Sequence, residues 1–262
     1  MFRLLPVIIL AASMISCDSS NTHDEIPEPD LYHIGEFTDN GVSVSAYSEI
    51  PAFVGYNRIY IDVRSEGEQP EFLDIEFLPI MHMEAHSHSS PVEAPGPLRS
   101  GEFNLFDAAV VFTMPSGMMG NWELQMIVRE GNQPDILAEG TIDVHVEESG
   151  RVISFMTEDE SRYVLTLVQP AEPQTGSNDL VVTLHERVSM MSFPPVTDAD
   201  IKFEPWMPSM EHGSSNNVDP VHGSNGHYNG TVNFNMTGDW ELRFDITRGS
   251  DDLGHHVFAL DF

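Results

Sequence analysis

Short runs of alternating apolar and polar residues follow one another along the chain from about Tyr32 onward. Runs such as VSVSAYSE, RIYIDVRS and WELQMIV, and later YVLTLVQ, LVVTLHE and WELRFDI, are rich in β-branched and aromatic residues. A period of two predicts half-buried strands, and the turn-forming residues between the runs predict tight connections. No stretch keeps a helical period, so the pattern predicts an all-β protein with about seven strands in each half, as in β-sandwiches.

The two halves of the chain carry the same motifs in the same order. FLDIEFLPIMHMEAHSHSSPVEAP aligns with DADIKFEPWMPSMEHGSSNNVDP, and VVFTMPSGMMGNWELQMIV aligns with VNFNMTGDWELRFDI. A duplicated unit is the simplest explanation of this similarity. The sequence therefore predicts two tandem immunoglobulin-like β-sandwich domains, 32–148 and 151–262, that meet near Gly150. The two tryptophans at corresponding positions begin buried strands, and we expect both to lie in the cores. The key corresponding positions are Met81 and Met207, Met114 and Met236, and Trp122 and Trp240.

The first residues predict export from the cytoplasm. MFRLLPVIILAASMISC combines a basic Arg3, a short apolar run and small residues before Cys17. The run is too short for a spanning helix and is typical of a secretion signal. Its end resembles a bacterial lipoprotein signal covering residues 1–17, in which lipidated Cys17 holds the protein on a membrane surface. The alternative is an ordinary signal peptide that is cut nearby. The polar and acidic residues 18–31 predict a flexible tether.

Composition narrows the classes of function. Acidic residues outnumber basic ones 42 to 11, for a formal net charge of −31, and such a chain repels the phosphate backbone of nucleic acids. Cys17 is the only cysteine, so after lipidation the chain offers neither a disulfide nor a thiolate metal ligand. The sequence has no nucleophile elbow, phosphate loop or HExxH motif, and we therefore expect no enzymatic activity.

Methionine and histidine recur at corresponding places in the two halves. In each half a strand ends at a proline and opens directly into a Met/His loop, and a later strand ends in a methionine before Trp-Glu-Leu. Since strand ends meet at the edge of a sandwich, we expect these side chains to converge there. Thioether sulfur is soft and selects Cu(I) over Zn²⁺, Mg²⁺ or Ca²⁺. The candidate ligands are Met81, Met83, His86 or His88, and Met114 in the first half, and Met207, Met210, His212 and Met236 in the second.

Other interpretations of the same residues are open at this point. Four methionines could simply cap the two cores, with the histidines as polar loop residues. Three histidines of HMEAHSH could form a Cu(II) or Zn²⁺ site instead. Two further histidines lie in DPVHGSNGHYNG and could be auxiliary ligands, although we favour a plain glycine-rich loop. The four methionines are Met81, Met114, Met207 and Met236. The histidines of HMEAHSH are His82, His86 and His88, and those of DPVHGSNGHYNG are His222 and His227.

The second half resembles a known family. PWMPSMEHGS followed by GHYNGTVNFNMTGDWELRFDI is similar to the YtkA-like domain, a small immunoglobulin-like sandwich of bacterial envelope proteins. That family shows a Met-Pro-x-Met-x-His loop, a Gly-x-Tyr strand, a methionine and a Gly-x-Trp turn. The first half departs from the pattern at His82, which replaces the proline, and in a longer segment between Met114 and Trp122. The matching residues are Met207, Pro208, Met210, His212, Gly226, Tyr228, Met236, Gly238 and Trp240.

The resemblance implies copper binding in the envelope without catalysis. The sequence thus predicts a lipoprotein anchored to a membrane and facing the periplasm or the exterior. It would act as a Cu(I) chaperone or buffer with one Met/His site per domain, and an oxidase or an efflux component would accept the metal. The alternative is a structural or adhesive surface lipoprotein that binds a protein or a glycan. An adhesive surface relies on exposed aromatic anchors, and the Met/His loops contain few.

Overall fold

A computed structural model describes residues 31–131 and 133–262 of the chain. The signal sequence, Cys17 and the tether up to residue 30 lie outside these residues, and so do the predictions made for them. Throughout the described ranges the regular structure consists of strands, which confirms the predicted all-β class. No described segment is a helix of the length and hydropathy needed to cross a bilayer.

The strands of the first half lie between residues 32 and 144, and those of the second half lie between residues 152 and 261. Strands in the first half are β1 (Tyr32–Asp39), β2 (Val42–Ser48), β3 (Gly55–Ser65), β4 (Leu73–His82), β5 (Ser87–His88), β6 (Val92–Glu93), β7 (Phe106–Phe112), β8 (Asn121–Glu130) and β9 (Ile136–Val144). Strands in the second half are β10 (Val152–Met156), β11 (Arg162–Gln169), β12 (Gly176–Glu186), β13 (Ala199–Met207), β14 (His212–Gly213), β15 (Val218–His222), β16 (His227–Phe234), β17 (Asp239–Arg248) and β18 (Asp251–Asp261).

Each half forms two antiparallel sheets, and the two halves share one topology. The first half has the sheets β1-β2-β3-β7-β6 and β5-β4-β8-β9. The second half has β10-β11-β12-β16-β15 and β14-β13-β17-β18, which is the same order strand for strand. We call the two halves the first sandwich and the second sandwich. The number of strands in each sandwich exceeds the predicted seven, because very short strands such as β5 and β14 have no periodic sequence pattern of their own.

Each sandwich has its own hydrophobic core between its two sheets. Strands β8 and β17 show how the alternating pattern builds it, because every second residue is buried from Trp122 to Val128 and from Trp240 to Ile246. Trp122 and Trp240 are fully buried, as the sequence predicted, and each belongs to the cluster of its own sandwich. The period of two therefore fixes which face of these strands points inward.

The segments predicted as Met/His loops are instead tight hairpins. Strand β4 continues past its proline to His82 and pairs with β5, and β13 continues to Met207 and pairs with β14. The prolines, Pro79 and Pro205, are compatible with strands here because the pairing on this side of β4 and β13 is confined to the last two residues. The prediction that a loop begins directly after the proline was therefore wrong by three residues in the first sandwich and by two in the second.

Candidate metal centre

One methionine and one histidine face each other across each hairpin. Met81 pairs with His88 in the first sandwich, and Met207 pairs with His212 in the second. Directly opposed residues of an antiparallel pair lie on the same face of the sheet, so each imidazole lies next to a thioether side chain. The sequence left His86 and His88 as alternatives. The pairing identifies His88 as the counterpart of His212, whereas His86 lies exposed in the turn.

The two histidine rings are held in the same way. The Nδ1 atom of His88 lies 2.7 Å from the carbonyl oxygen of Ser89, and Nδ1 of His212 lies 2.8 Å from that of Gly213. Because a carbonyl oxygen only accepts, Nδ1 is the nitrogen that donates. In a neutral ring this tautomer leaves the lone pair on Nε2, which is the arrangement that histidine metal ligands commonly adopt.

A tryptophan connects each histidine to the second methionine of the set. The rings of His212 and Trp240 are 6.0 Å apart, and those of His88 and Trp122 are 5.6 Å apart, both close to perpendicular. The indole Nε1–H of Trp240 donates to the carbonyl oxygen of Met236 at 3.0 Å. The indole of Trp122 donates to the carbonyl oxygen of Met114 at 2.8 Å. The methionine after the later strand therefore lies at the same edge as the histidine hairpin in both sandwiches.

Two of the candidate methionines are core residues. Met81 is 0% exposed and Met207 is 1% exposed, and each belongs to the hydrophobic cluster of its sandwich. The Cε of each packs against the glycine of the Gly-x-Trp turn, Gly120 or Gly238. For these two residues the geometry matches the interpretation of methionine as a cap of the core, and their sulfur atoms lie beneath the hairpins.

The remaining candidate methionines are more accessible, and they differ between the sandwiches. Met210 and Met236 are exposed, at 59% and 38%. Met83 and Met114 are only partly buried and pack against the first core. The second edge thus presents two accessible thioethers beside a half-buried histidine, whereas the first edge is more closed.

The three histidines of HMEAHSH do not converge on one point. His82 uses both ring nitrogens, with Nε2 at 2.8 Å from Glu123 Oε1 and Nδ1 at 3.2 Å from Ser87 Oγ. The rings of His86 and His88 are 6.5 Å apart. Within residues 31–131 and 133–262, no three His, Cys, Asp or Glu side chains are grouped as a metal site. The alternative of a triple-histidine site is therefore not formed in this arrangement.

The electrostatic surroundings of His88 set the first edge apart. Burial lowers the pKa of His88, and the positive charge of Arg187 in the second sandwich acts in the same direction. Both effects favour the neutral form of the ring, which is the form that binds a metal. The same guanidinium, however, disfavours an added cation at this edge.

Sequence reasoning missed the residues that join the two sandwiches. His227, interpreted as part of a loop, begins β16, and its Nε2 lies 2.6 Å from Glu93 Oε1 of the first sandwich. Its ring also meets Tyr56 edge to face at 5.2 Å. A second link is the Ser89 N–H, which donates to the carbonyl oxygen of Met190 at 2.8 Å. No local signal marks these residues, since each partner lies in the other half of the chain.

Comparisons with solved structures give only distant similarity. The Escherichia coli adhesin FdeC matches 87% of this chain and 65% of its own length, at 11% identity and a TM-score of 0.27. Domains 5–6 of the S-layer protein SbsC match 88% and 98%, at 10% identity and 0.29. The D00-D0 domain of intimin matches 79% and 94%, at 11% identity and 0.23. No curated protein sequence matches the chain.

A family model adds a more specific result. The model of the YtkA-like family matches residues 157–245. This confirms the resemblance for the second half, whereas membership of the first half in the same family stays a prediction. The matched segment includes Met207, Met210, His212 and Met236. The second sandwich is therefore YtkA-like over residues 157–245, and this stretch holds every candidate ligand of the second edge.

Proposed function

We propose that this protein binds copper as Cu(I) in the bacterial cell envelope, with one Met/His site at the edge of each sandwich. One observation carries the proposal. His212 has Nδ1 fixed by a carbonyl oxygen, lies in the same hairpin as the exposed Met210, and packs on the tryptophan that holds Met236. The first sandwich repeats this arrangement with His88, Trp122 and Met114.

The donor set suits Cu(I) more than harder cations. Thioether sulfur is uncharged and polarizable, and it needs no deprotonation before it binds. Nδ1 of His212 already donates to a backbone carbonyl oxygen, so the ring is oriented before a metal arrives. Preorganised imidazole and accessible thioethers at a hairpin are suited to a site that takes up and releases its metal.

The two sites are proposed to differ in affinity. The second edge has the exposed sulfur atoms of Met210 and Met236. At the first edge, His88 is nearly buried and Arg187 lies close enough to affect its charge state. Desolvation and a nearby positive charge both weaken cation binding, so we assign the tighter site to the second sandwich. The buried Met81 and Met207 would contribute sulfur only after their side chains turned away from the core.

The biological role follows from this chemistry and from the predicted anchor. Lipidation at Cys17 would hold the protein on a membrane, with the sandwiches in the periplasm or outside the cell. A protein that binds Cu(I) there would act as a chaperone or a buffer. An oxidase that needs copper, or an efflux component, would be the acceptor.

The alternative function is a structural or adhesive surface protein without catalysis. Adhesive contacts usually depend on large aromatic anchors. Among the large hydrophobic side chains that are exposed in the described residues, only Tyr32 and Phe72 are aromatic, and neither lies at a candidate edge. This distribution favours copper binding over an adhesive surface.

Anaerobic titration of the purified full chain with Cu(I), against a chromophoric competing chelator, tests the proposal. Met210→Leu and Met236→Leu keep the side-chain volume and remove the sulfur. We expect each to weaken the tighter site by about tenfold or more, the scale on which metal affinity responds to lost site contacts. Met191→Leu, at an exposed methionine outside both candidate sites, is the matched control and should bind like the wild type.

Two outcomes would overturn the proposal. One is the absence of Cu(I) binding at micromolar concentrations in the unmodified chain. The other is binding that Met210→Leu and Met236→Leu leave unchanged, because the copper would then lie elsewhere. Circular dichroism of each variant separates loss of a ligand from loss of the fold.

A further inference from the structure

A cleft of about 260 Å³ lies between the two sandwiches. His88 and Thr113 of the first sandwich line one side, and residues of β10, β11 and the segment after β12 line the other. Its volume is just below the range of about 300–1,000 Å³ that is usual for ligand sites, so it would hold a small molecule. The remaining question is which chemistry its walls would recognise.

The positive charges of the cleft are unusual for this chain. Acidic residues outnumber basic ones 42 to 11, so most cations have a carboxylate nearby. Arg162 and Arg187 both line the cleft, and neither has a carboxylate within ion-pair distance among the residues that the structure describes. Arg151 contacts backbone carbonyl oxygens instead. The cations that do have a carboxylate partner are Arg58, Arg64, Arg99, Arg129, Lys202, Arg243 and Arg248.

The two arginines are placed side by side by the backbone. The Arg187 N–H donates to the carbonyl oxygen of Arg162 at 2.7 Å, which makes them neighbours across adjacent strands. The Arg187 guanidinium lies 5.9 Å from the ring centre of Phe193 and contacts the sulfur of Met190. Like charges in neighbouring cross-strand positions are destabilising. A bound anion would relieve that repulsion.

The other walls of the cleft are largely aromatic. Phe155 stacks on Tyr163 with ring centres 5.4 Å apart and an angle of 21° between the planes, and Phe193 lies beneath Arg187. Aromatic walls bury an apolar body, and guanidinium groups bind carboxylates through charge-assisted hydrogen bonds. A metal cation would be repelled by the same two guanidinium groups.

We propose that this cleft binds a small organic carboxylate, whose anionic group pairs with Arg162 and Arg187 and whose apolar body packs against Phe155 and Phe193. The site differs in chemistry from the copper proposal, since its ligand is an anion that pairs with arginines, although the candidate copper ligand His88 also lines the cleft. It requires both sandwiches, because His88 and Thr113 of the first sandwich line the cleft together with the arginines of the second.

The probe for this site is benzoate, titrated into the purified full chain without metal and followed by calorimetry and by ¹H–¹⁵N spectra. Benzamide, which has the same ring without the charge, is the matched control ligand. We expect benzoate to bind and benzamide to bind at least about tenfold more weakly, because hydrogen bonds to charged groups are the stronger ones. Inorganic phosphate should also bind more weakly than benzoate, since it has no apolar body.

Variants locate the binding. Arg162→Gln and Arg187→Gln should each weaken benzoate binding by about tenfold. Lys202→Gln removes one positive charge from an exposed ion pair away from the cleft and should leave the affinity unchanged. Arg162 is exposed and makes no ion pair with the described carboxylates, so its variant is expected to fold. Arg187→Lys keeps the charge if Arg187→Gln does not fold.

The proposal is overturned if benzoate binds no more tightly than benzamide, or if Arg162→Gln binds it like the wild type. Equal affinity for phosphate and benzoate would also overturn it, because the aromatic walls would then have no part in recognition. Each result is independent of whether the chain binds Cu(I), since metal is absent from the titration.

Discussion

At the scale of single residues, the candidate edge depends on a close fit between a methionine and a glycine. A Cβ atom added at Gly238 would lie 3.1 Å from Met207 Cε, and Gly120 has the same distance to Met81 Cε. Both glycines also have positive φ, 149° at Gly120 and 140° at Gly238, which favours glycine. The glycine of the Gly-x-Trp turn thus leaves room for the buried methionine. This allows the turn to place the tryptophan beside that methionine.

Gly238→Ala should therefore destabilise the protein by about 1–3 kcal/mol, since it combines an unfavourable backbone conformation with a tight contact to the Met207 side chain. The measurement is the free energy of unfolding in urea, followed by tryptophan fluorescence. Gly150→Ala is the control, because nothing lies within 4 Å of a Cβ added there. Equal stabilities of the two variants would show that the turn tolerates a side chain.

At the scale of elements, strands β6 and β16 link the two sandwiches through Glu93 and His227. The side chains are 27% and 19% exposed, so this pair is better shielded from water than a surface ion pair. Burial acts to raise the pKa of Glu93, but the hydrogen bond and charge of His227 hold it below its ordinary value. The carboxylate is thus stabilised in its charged form by a residue of the other sandwich.

A double-mutant cycle with Glu93→Gln and His227→Gln should give a coupling energy of about 0.5–3 kcal/mol, as found for residues in direct contact. The control cycle uses Asp219→Asn and Lys202→Gln, whose side chains are 41% and 75% exposed. Exposed pairs contribute about 0–1 kcal/mol, so the control coupling should be smaller. Unfolding in urea at pH 7 supplies the values. Additive effects at Glu93 and His227 would contradict the link.

The elements also show where sequence patterns stop being informative. Long strands such as β8 and β17 were predicted from their alternation, which burial follows residue by residue. The sequence predicts loops at the hairpins β4–β5 and β13–β14, because Pro, Gly and Ser are frequent in the surrounding sequence. A strand of two residues is too short for a periodic pattern. It forms here because an edge strand offers free backbone groups to pair with.

At the scale of the whole molecule, the chain forms two sandwiches of one topology and, over its full length, carries a formal net charge of −31. An excess of one charge destabilises a compact state through self-repulsion. Salt screens this repulsion, since the Debye length falls from about 30 Å at 0.01 M to about 8 Å at 0.15 M ionic strength. Most ion pairs among the described residues lie at the surface and contribute little to stability. Screening them with salt therefore costs little compared with the repulsion that it removes.

The free energy of unfolding at pH 7 should therefore rise when NaCl is increased from about 0.01 M to about 0.15 M. Thermal and urea unfolding at each salt concentration measure the change. The same experiment near pH 4 is the control, because protonation of Asp and Glu reduces the net charge and should shrink the salt effect. A stability that is independent of salt at pH 7 would contradict this account.

By itself, the sequence determined the all-β class, the strands with long alternating patterns, the burial of Trp122 and Trp240, and the YtkA-like character of the second half. These properties follow from local alternation and short motifs, both of which involve residues that are close together in the sequence. Only the tertiary structure decided that His88 rather than His86 matches His212, and that Met81 and Met207 face the core. It alone joined Glu93 to His227 and set Arg162 and Arg187 around one cleft. Such choices depend on pairing and packing between distant segments, and no local pattern encodes them.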